Sequence, residues 1–187
     1  ILETSKKRRK VYSAMDPHQL FEHTKAKMNE LESLLPELSA LNNSQISKPR
    51  VTYFEGLEGT EEVYADMLHE RKDIFAYEDL EHMKKAMRGS FFANWPSERA
   101  KRNIGFKSIT RDSSIAREFN KQNIKLLRQA KFIQVEDLKT EINIYGDKVA
   151  LMSFQTNPPF CVLIEDKNIA TTLKTMWHEL WKKLDPV

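Results

Sequence analysis

Residues 141–154 read EINIYGDKVALMSF, and this stretch decides the fold. Two largely apolar runs, 142–145 and 149–154, flank Gly146 and Asp147. Because glycine tolerates the positive φ angle of a two-residue turn, the pattern predicts a tight β-hairpin. A third apolar run, 160–164, follows a Pro-Pro pair. The C-terminal half is therefore predicted to hold an antiparallel meander inside a core.

Upstream of this meander, strand patterns alternate with helix patterns. The strands are expected at 51–54, 73–77, 104–110 and 132–135, and the helices from residue 60 onward, at 79–87 and from 112 to about 130. A last helix, 168–184, is expected after the meander. Thr60 is the expected N-cap of the first of these helices, and Ile124 and Leu127 are expected to face inward from the third. The alternation followed by a meander predicts an α/β domain with a mixed sheet flanked by helices.

A long helical pattern precedes this domain. Leucines recur at the four- and three-residue spacing of a coiled-coil seam, and Pro36 is expected to kink or interrupt the helix. We interpret the seam as a dimer contact, with packing on its own domain as the alternative. The seam leucines are Leu20, Leu31, Leu34, Leu38 and Leu41. The predicted division is 1–15, a hairpin belonging to a larger unit; 16–43, the dimerisation helix; 44–50, a linker; and 51–187, the C-terminal domain.

Charge and composition limit the class of protein. The 187 residues carry a formal net charge of +3, with a basic cluster, KKRRK, at 6–10. No apolar run reaches the roughly 18 residues of a membrane span, and no signal peptide is recognisable, so we expect a cytoplasmic protein. The sequence does not begin with Met, so we expect a piece of a longer chain. Cys161, the one cysteine, is interpreted as a buried hydrophobic residue rather than a nucleophile.

Known catalytic and metal-binding motifs are absent from the sequence. The five histidines are scattered over predicted helices, so we expect no metal site and no cofactor. Two His-x-Lys triplets occur, at His23 and His82, but both lie on predicted helices and we interpret them as chance. Trp177 and Trp181, four residues apart on the last helix, are interpreted as packing residues or a second dimer contact.

Five segments in order resemble the TrmB-like family of transcriptional regulators. They are KKRRKVYSAMDPHQLFE, the leucine-bearing helix, VTYFEGLEG, INIYGDKVALMSF and IEDKNIATTLKTMWHELW, and the resemblance covers about residues 2–184. It implies a winged helix-turn-helix, of which 1–13 are the last strands, then a dimerising helix and a phospholipase-D-like domain that senses an effector. The recognition helix would then lie upstream of residue 1.

The resemblance also assigns roles to particular residues. DNA-backbone contacts would come from Lys6, Lys7, Arg8 and Arg9. The His-x-Lys-x4-Asp motif of phospholipase-D-like enzymes would fall on Leu138, Thr140 and Tyr145. Because none of these has the catalytic identity, we expect a DNA-binding homodimer without catalytic activity. The alternatives are a phospholipase-D-like phosphodiesterase or nuclease, and a dimerisation scaffold without a ligand.

Effector-binding residues are expected beyond the ends of the strands, where open α/β sheets bind ligands. Arginines there would favour an anion or phosphorylated metabolite, and carboxylates with an amide would favour a sugar. Structural ion pairs of Arg111 and Arg128 with nearby acids are the alternative. The expected effector-binding residues are Glu55, Glu78, Arg111, Arg128, Asn143, Tyr145 and Ser153.

Overall fold

The computed structural model describes residues 2–6, 9–13, 16–43 and 48–185, and the side chains of 16–37, 48–91 and 93–185. The chain divides into two units, Ile1–Lys48 and Pro49–Val187. The first unit contains an antiparallel hairpin of β1 (Leu2–Lys6) and β2 (Arg9–Ser13), followed by α1 (Pro17–Asn43). Asp16 caps α1, because its Oδ1 accepts a hydrogen bond of 2.7 Å from the backbone N of His18.

Helix α1 continues through Pro36 instead of ending there. Proline removes one backbone hydrogen bond and crowds the preceding turn, which destabilises the helix locally. The hydrogen bonds of the other turns keep the 27-residue helix continuous. The expected helix is present and Pro36 does not interrupt it, whereas the alternative, a kink at Pro36, stays a prediction. Its described side chains, 17–37, are all exposed within this chain.

The second unit is a seven-stranded mixed sheet with helices on it. Its elements in chain order are β3 (Arg50–Glu55), α2 (Gly56–Glu70), β4 (Ile74–Glu78), α3 (Leu80–Ala86), α4 (Gly89–Lys101), β5 (Phe106–Arg111), α5 (Ser114–Asn120), β6 (Arg128–Ile133), β7 (Thr140–Tyr145), β8 (Lys148–Ser153), β9 (Phe160–Glu165) and α6 (Lys167–Lys183). The strand order is β3-β9-β8-β7-β4-β5-β6. Strands β4, β5 and β6 are parallel and all other pairs are antiparallel. The predicted α/β fold with a mixed sheet is confirmed.

The hairpin of β7 and β8 forms as its sequence predicts. Tyr145 pairs with Lys148, so Gly146 and Asp147 are the two loop residues, and Gly146 has a φ of +54°. Strand β9 then pairs antiparallel with β8, which completes the meander. Cys161 is fully buried on β9. Burial is the main cause that raises the pKa of its thiol to about 12, and the charge of Glu141 adds to this rise. A thiol in that environment is inert, as expected for a buried hydrophobic residue.

The sheet separates the core into two layers, and the side chains of β7 point alternately into one and the other. Ile142 and Ile144 pack in the layer under α6, whereas Tyr145 belongs to the layer under the other helices. Trp177 of α6 is fully buried and its indole N–H donates to the carbonyl of Ala76 at 2.9 Å. The interpretation of Trp177 as a packing residue is therefore confirmed.

Two predicted helix boundaries are wrong. The helix expected over 112–130 ends at Asn120, and Leu127 has a φ of +47°, which ends any helical path before β6 begins. Ile124 is 95% exposed and does not face inward. Helix α2 begins at Gly56 rather than after Thr60, and Thr60 is buried with its hydroxyl donating to the carbonyl of Gly56.

No helix among the described residues is long and apolar enough to cross a membrane.

Candidate functional site

Several predicted effector-binding residues lie at one edge of the sheet. Glu78 ends β4, Arg111 ends the parallel strand β5, and Ser153 ends β8. Glu55 ends β3, and both Glu55 and Ser153 pair with Phe160 of β9. This edge includes the carboxyl ends of the parallel strands, where ligands bind in open α/β sheets. We call it the carboxyl edge.

A buried ion pair lies beneath this edge. Arg128, at the start of β6, donates from Nη2 to Glu78 and, at 3.0 Å, to the hydroxyl of Ser108. Its Nη1 donates to Asn123 Oδ1 at 2.9 Å. The pair Glu78–Arg128 therefore matches the alternative reading of Arg128, a structural ion pair. Arg128 reaches it from a strand rather than from the expected helix.

Glu141 is a second buried carboxyl group in the same layer. Its Oε1 accepts hydrogen bonds of 2.7 Å from the hydroxyl of Tyr64 and from the amide of Asn143. Burial raises the pKa of Glu141 to about 7, and the charge of Glu78 adds to this rise. A substantial fraction of the Glu141 carboxyl is therefore protonated at neutral pH.

The buried network retains hydrogen-bonding capacity. Among the described side chains, Arg99 Nε, Arg128 Nε, Glu141 Oε2 and Asn143 Oδ1 are buried without a hydrogen-bond partner. A cavity of about 30 Å³ lies among these groups, and its lining includes Tyr64, Glu78, Arg99, Arg128 and Glu141. This volume suits one or two water molecules and is too small for a metabolite. The network is thus a buried polar support for the edge above it.

A partly exposed polar cluster lies beyond the ends of β4 and β5. Arg111 donates to Asp79, the N-cap of α3, and to Glu81, and the hydrogen bonds to Asp79 raise the pKa of its guanidinium. His82 Nε2 lies 2.8 Å from Asp137 Oδ1 and 3.6 Å from Asp79 Oδ2. The hydrogen bond with His82 lowers the pKa of Asp137.

Gln155 completes this cluster from the loop that follows β8. Its amide nitrogen lies 3.0 Å from His82 Nε2 and 3.2 and 3.3 Å from the two carboxylate oxygens of Asp137. We call Asp79, His82, Asp137 and Gln155 the His82 cluster. Sequence reasoning missed its acids and its amide, because three segments far apart in the chain bring them together.

An open groove of about 610 Å³ lies on the same edge. Its charged lining comes from Glu55, Glu58, Lys85 and Arg88, and its apolar lining includes Phe154. The volume lies in the range of sites for small molecules. Glu55 is the predicted effector-binding residue that reaches this groove.

Other predicted site residues lie elsewhere or outside the described region. Tyr145 lies at the opposite edge, where its hydroxyl donates to Asp66 at 2.9 Å. Thr140 begins β7 and is exposed, and Leu138 precedes that strand. The backbones of Lys6 and Arg9 belong to the β1–β2 hairpin, but their side chains, and all of Lys7 and Arg8, are outside the described residues. The same applies to the side chains of two seam leucines, Leu38 and Leu41.

Comparison with known proteins identifies the fold. The sequence matches no family model and no curated protein. TrmBL2, described as an archaeal chromatin protein with a novel mode of DNA binding, is similar over 91% of this chain and 66% of its own, with a TM-score of 0.52 and 18% identity. This chain thus spans slightly less than two thirds of TrmBL2.

Two further solved structures are similar over three quarters of this chain. Nuc from Salmonella typhimurium, a phospholipase D family member, matches 75% of this chain and 99% of its own, with a TM-score of 0.54 and 11% identity. NucT from Helicobacter pylori matches 75% and 100%, with a TM-score of 0.51 and 12% identity. The phospholipase-D-like fold expected from the resemblance is confirmed, and a TrmB-like protein is among the structures that match it.

The expectation that the chain is not an enzyme is wrong. It rested on the loss of His, Lys and Asp at Leu138, Thr140 and Tyr145. The fold is nevertheless that of a phospholipase D family member over nearly the whole of that protein. Motif positions taken from a sequence resemblance do not exclude other groups at the same edge, and the His82 cluster provides an imidazole there.

Proposed function

We propose that this chain is the larger part of a DNA-binding transcriptional regulator that works as a homodimer and binds an effector at the carboxyl edge. The similarity to TrmBL2 carries the proposal. It covers 91% of the chain, whereas Pro49–Val187 are 139 of the 187 residues, about 74%. The similarity therefore extends into the unit that holds the hairpin and α1.

DNA contact is assigned to the basic hairpin. Lys6, Lys7, Arg8 and Arg9 follow one another in the sequence, so their charges add. Such cations bind phosphates without reading the base sequence. Binding by this chain alone is therefore expected to be weak, independent of sequence and sensitive to salt.

A charge-matched comparison tests this assignment. We expect that changing Lys6, Lys7, Arg8 and Arg9 to Gln weakens binding to a labelled DNA duplex, measured by fluorescence anisotropy over a range of salt concentrations. The slope of log K against log salt should fall by up to about 3.6, because each phosphate contact contributes about 0.9. The control changes four exposed lysines of the second unit, Lys101, Lys121, Lys125 and Lys183, to Gln. An equal loss of DNA affinity in both variants would show that binding depends only on net charge and would contradict the assignment.

The effector is assigned to the groove of about 610 Å³, because the buried cavity beneath the edge holds only water-sized molecules. Lys85 and Arg88 supply positive charge for a phosphorylated metabolite, and Glu55 and Glu58 supply acceptors for sugar hydroxyls. Arg88 is only loosely paired, at 3.8 Å from Glu58 and 3.7 Å from Glu61. An effector that prefers one dimer geometry would shift the equilibrium by its difference in affinity between the two states.

Adjacent lysines on α3 make a matched test of the groove. A ligand that binds only the native state raises the melting temperature, so we screen sugars and phosphorylated sugars by thermal shift. Lys85→Ala should remove the shift, whereas Lys84→Ala, an exposed lysine outside the groove, should keep it. A shift that survives Lys85→Ala and Arg88→Ala would put the ligand elsewhere. The absence of any shift would favour the ligand-free scaffold.

Phosphodiester cleavage is a second candidate function. It is favoured by the near-complete match to Nuc and by the partly exposed imidazole of His82, which Asp137 contacts at 2.8 Å. The assay is hydrolysis of bis(p-nitrophenyl) phosphate. Activity lost in His82→Ala and kept in His69→Ala, an exposed histidine on α2, would support it. Activity that is equal in both variants would assign the hydrolysis to a contaminant or to another site.

A further inference from the structure

We propose that Asp79, His82 and Asp137 form a binding site for a divalent first-row transition-metal ion, for which Zn²⁺ is the probe. The proposal does not depend on the effector or on DNA binding. It differs from the sequence-based expectation of no metal site, which considered only the spacing of histidines along the chain.

The distances in the cluster are close to those of a metal-ligand set. Ligand atoms of Asp79, His82 and Asp137 all lie within 4.8 Å of one another. With Zn–N and Zn–O bonds of about 2.0 Å, the ligand atoms of a tetrahedral site are about 3.3 Å apart. His82 Nε2 lies 2.8 Å from Asp137 Oδ1 and 3.6 Å from Asp79 Oδ2. Shifts of a few tenths of an ångström would bring both distances to the ideal value.

One ligand is held in place before any ion binds. The Asp79 side chain is 2% exposed, its Oδ1 caps α3 by accepting from the backbone N of Glu81 at 2.9 Å, and Arg111 donates to its Oδ2. A carboxylate oxygen has a second lone pair, which remains for a metal. His82 lies three residues further on, one turn along the same helix, so the Asp79–His82 arrangement follows from helix geometry.

The charges of the cluster leave room for a cation. Asp79, Glu81 and Asp137 bring three negative charges, and Arg111, which pairs with Asp79 and Glu81, brings one positive charge. Lys139 acts on Asp137 by its charge. A divalent ion would neutralise the remainder and take the His82 Nε2 lone pair. A single proton on Nε2 can satisfy only one of the groups that surround it.

The chemistry of the donors selects the class of ion. One imidazole with two carboxylates suits Zn²⁺ and its first-row neighbours, whereas Ca²⁺ and Mg²⁺ prefer oxygen ligands alone. His82 and Asp137 side chains are 28% and 29% exposed, so an ion can enter and retain water ligands. Gln155 lies beside His82 and can turn its amide oxygen inward as a further ligand.

A bound ion would join three segments that are separate in the chain. Asp79 and His82 belong to the start of α3, Asp137 to the loop between β6 and β7, and Gln155 to the loop after β8. Asp137 is adjacent to Leu138, the position at which the family resemblance puts the motif histidine. The ion would therefore sit beside that position and fix the loops of the carboxyl edge.

Calorimetric titration of ZnCl₂ into the chelator-treated chain tests the site. We expect one Zn²⁺ per chain, binding at least tenfold weaker in His82→Ala and in Asp137→Asn, and unchanged in His69→Ala. Zn²⁺ should also raise the melting temperature of the unaltered chain and of His69→Ala, and EDTA should reverse the rise. Circular dichroism without metal checks that each variant is folded, and Asp137→Asn preserves the shape of the side chain if His82→Ala does not fold.

The proposal is overturned by any of three results. Affinity for Zn²⁺ that is the same in the unaltered chain and in both cluster variants would put the ion at another site. Binding of Ca²⁺ as tight as that of Zn²⁺, without an effect of His82→Ala, would indicate only diffuse attraction to acidic residues. Failure to bind Zn²⁺ at all would leave the cluster as ion pairs.

Discussion

Glu141 carries an energetic cost that depends on pH. Its pKa is about 7 in the folded chain, against 4.5 for an unperturbed glutamate, because burial disfavours the ionised carboxylate. Between these pH values the folded state binds more protons than the unfolded state. The free energy of unfolding therefore falls as the pH rises through this window, and the loss is complete above pH 7.

Glu141→Gln is expected to remove this loss. Gln keeps an oxygen that can accept from Tyr64 and Asn143 and has no charge to bury. The stability of the variant relative to the unaltered chain should rise by up to about 3 kcal/mol between pH 4.5 and pH 8, as the pKa difference implies. Urea unfolding at the two pH values measures it, with the exposed Glu62→Gln as the control. An advantage that does not change with pH would contradict the elevated pKa.

Individual site residues could be predicted from the sequence only where one strand carries them. Glu78 and Asn143 can be picked out because polar residues interrupt or end apolar strands, and both lie in the buried network, whereas their role in effector binding stays a prediction. The His82 cluster was not, since Asp79 and Gln155 are 76 positions apart and neither belongs to a motif. Its sequence signals are Asp79 as a helix cap with His82 one turn later, and the His-x-Lys triplet at His82, which is interpreted as chance. A helix cap alone does not indicate a site.

At the scale of elements, the β7–β8 turn is the local feature that most directly determines the hairpin. Gly146 has a φ of +54°, a conformation that side chains disfavour, and an added Cβ would lie 3.1 Å from Glu70 Oε1, the end of a flexible side chain. Gly146→Ala should therefore destabilise the chain by about 1 kcal/mol in urea unfolding.

Gly89→Ala provides the opposite case for that measurement. Gly89 begins α4, has no positive φ, and an added Cβ would have no atom within 4 Å. Its replacement should be neutral or stabilise by up to about 1 kcal/mol, because it restricts the unfolded chain. Equal effects of both substitutions would show that the turn does not depend on glycine.

The elements also show why part of the fold was predictable and part was not. The meander followed from local signals, namely a glycine turn and alternating apolar residues. The boundary between α5 and β6 depends on pairing instead. Residues 128–133 read RQAKFI, which fits a helix locally, but they pair with Phe106–Arg111 across the sheet. Tertiary pairing overrides a weak local preference, and the sequence alone does not contain that partner.

At the scale of the whole molecule, the exposed face of α1 bears on assembly. Leu20, Leu31 and Leu34 are 57%, 54% and 43% exposed within this chain and follow coiled-coil spacing. We expect that Leu31→Asp with Leu34→Asp converts a dimer to a monomer in light scattering, because two charges would be buried in the seam. Asn29→Asp with Ser33→Asp adds the same charge off the seam and should leave the mass unchanged. A dimer that persists in the seam variant would assign the contact to other residues.

The order of strands has a consequence for how the protein is made. Strand β3 begins the second unit, and among the described strands it pairs only with β9. The pairing of Arg50 with Glu165 therefore cannot form until β9 has been synthesised. During synthesis, β3 leaves the ribosome before the other six strands of this sheet and has no strand partner until β9 has followed. Such distant pairing gives a high contact order and slow folding. Nascent chains that stop short of β9 would leave β3 unpaired, so Phe160–Glu165 are the last strand needed to complete the sheet.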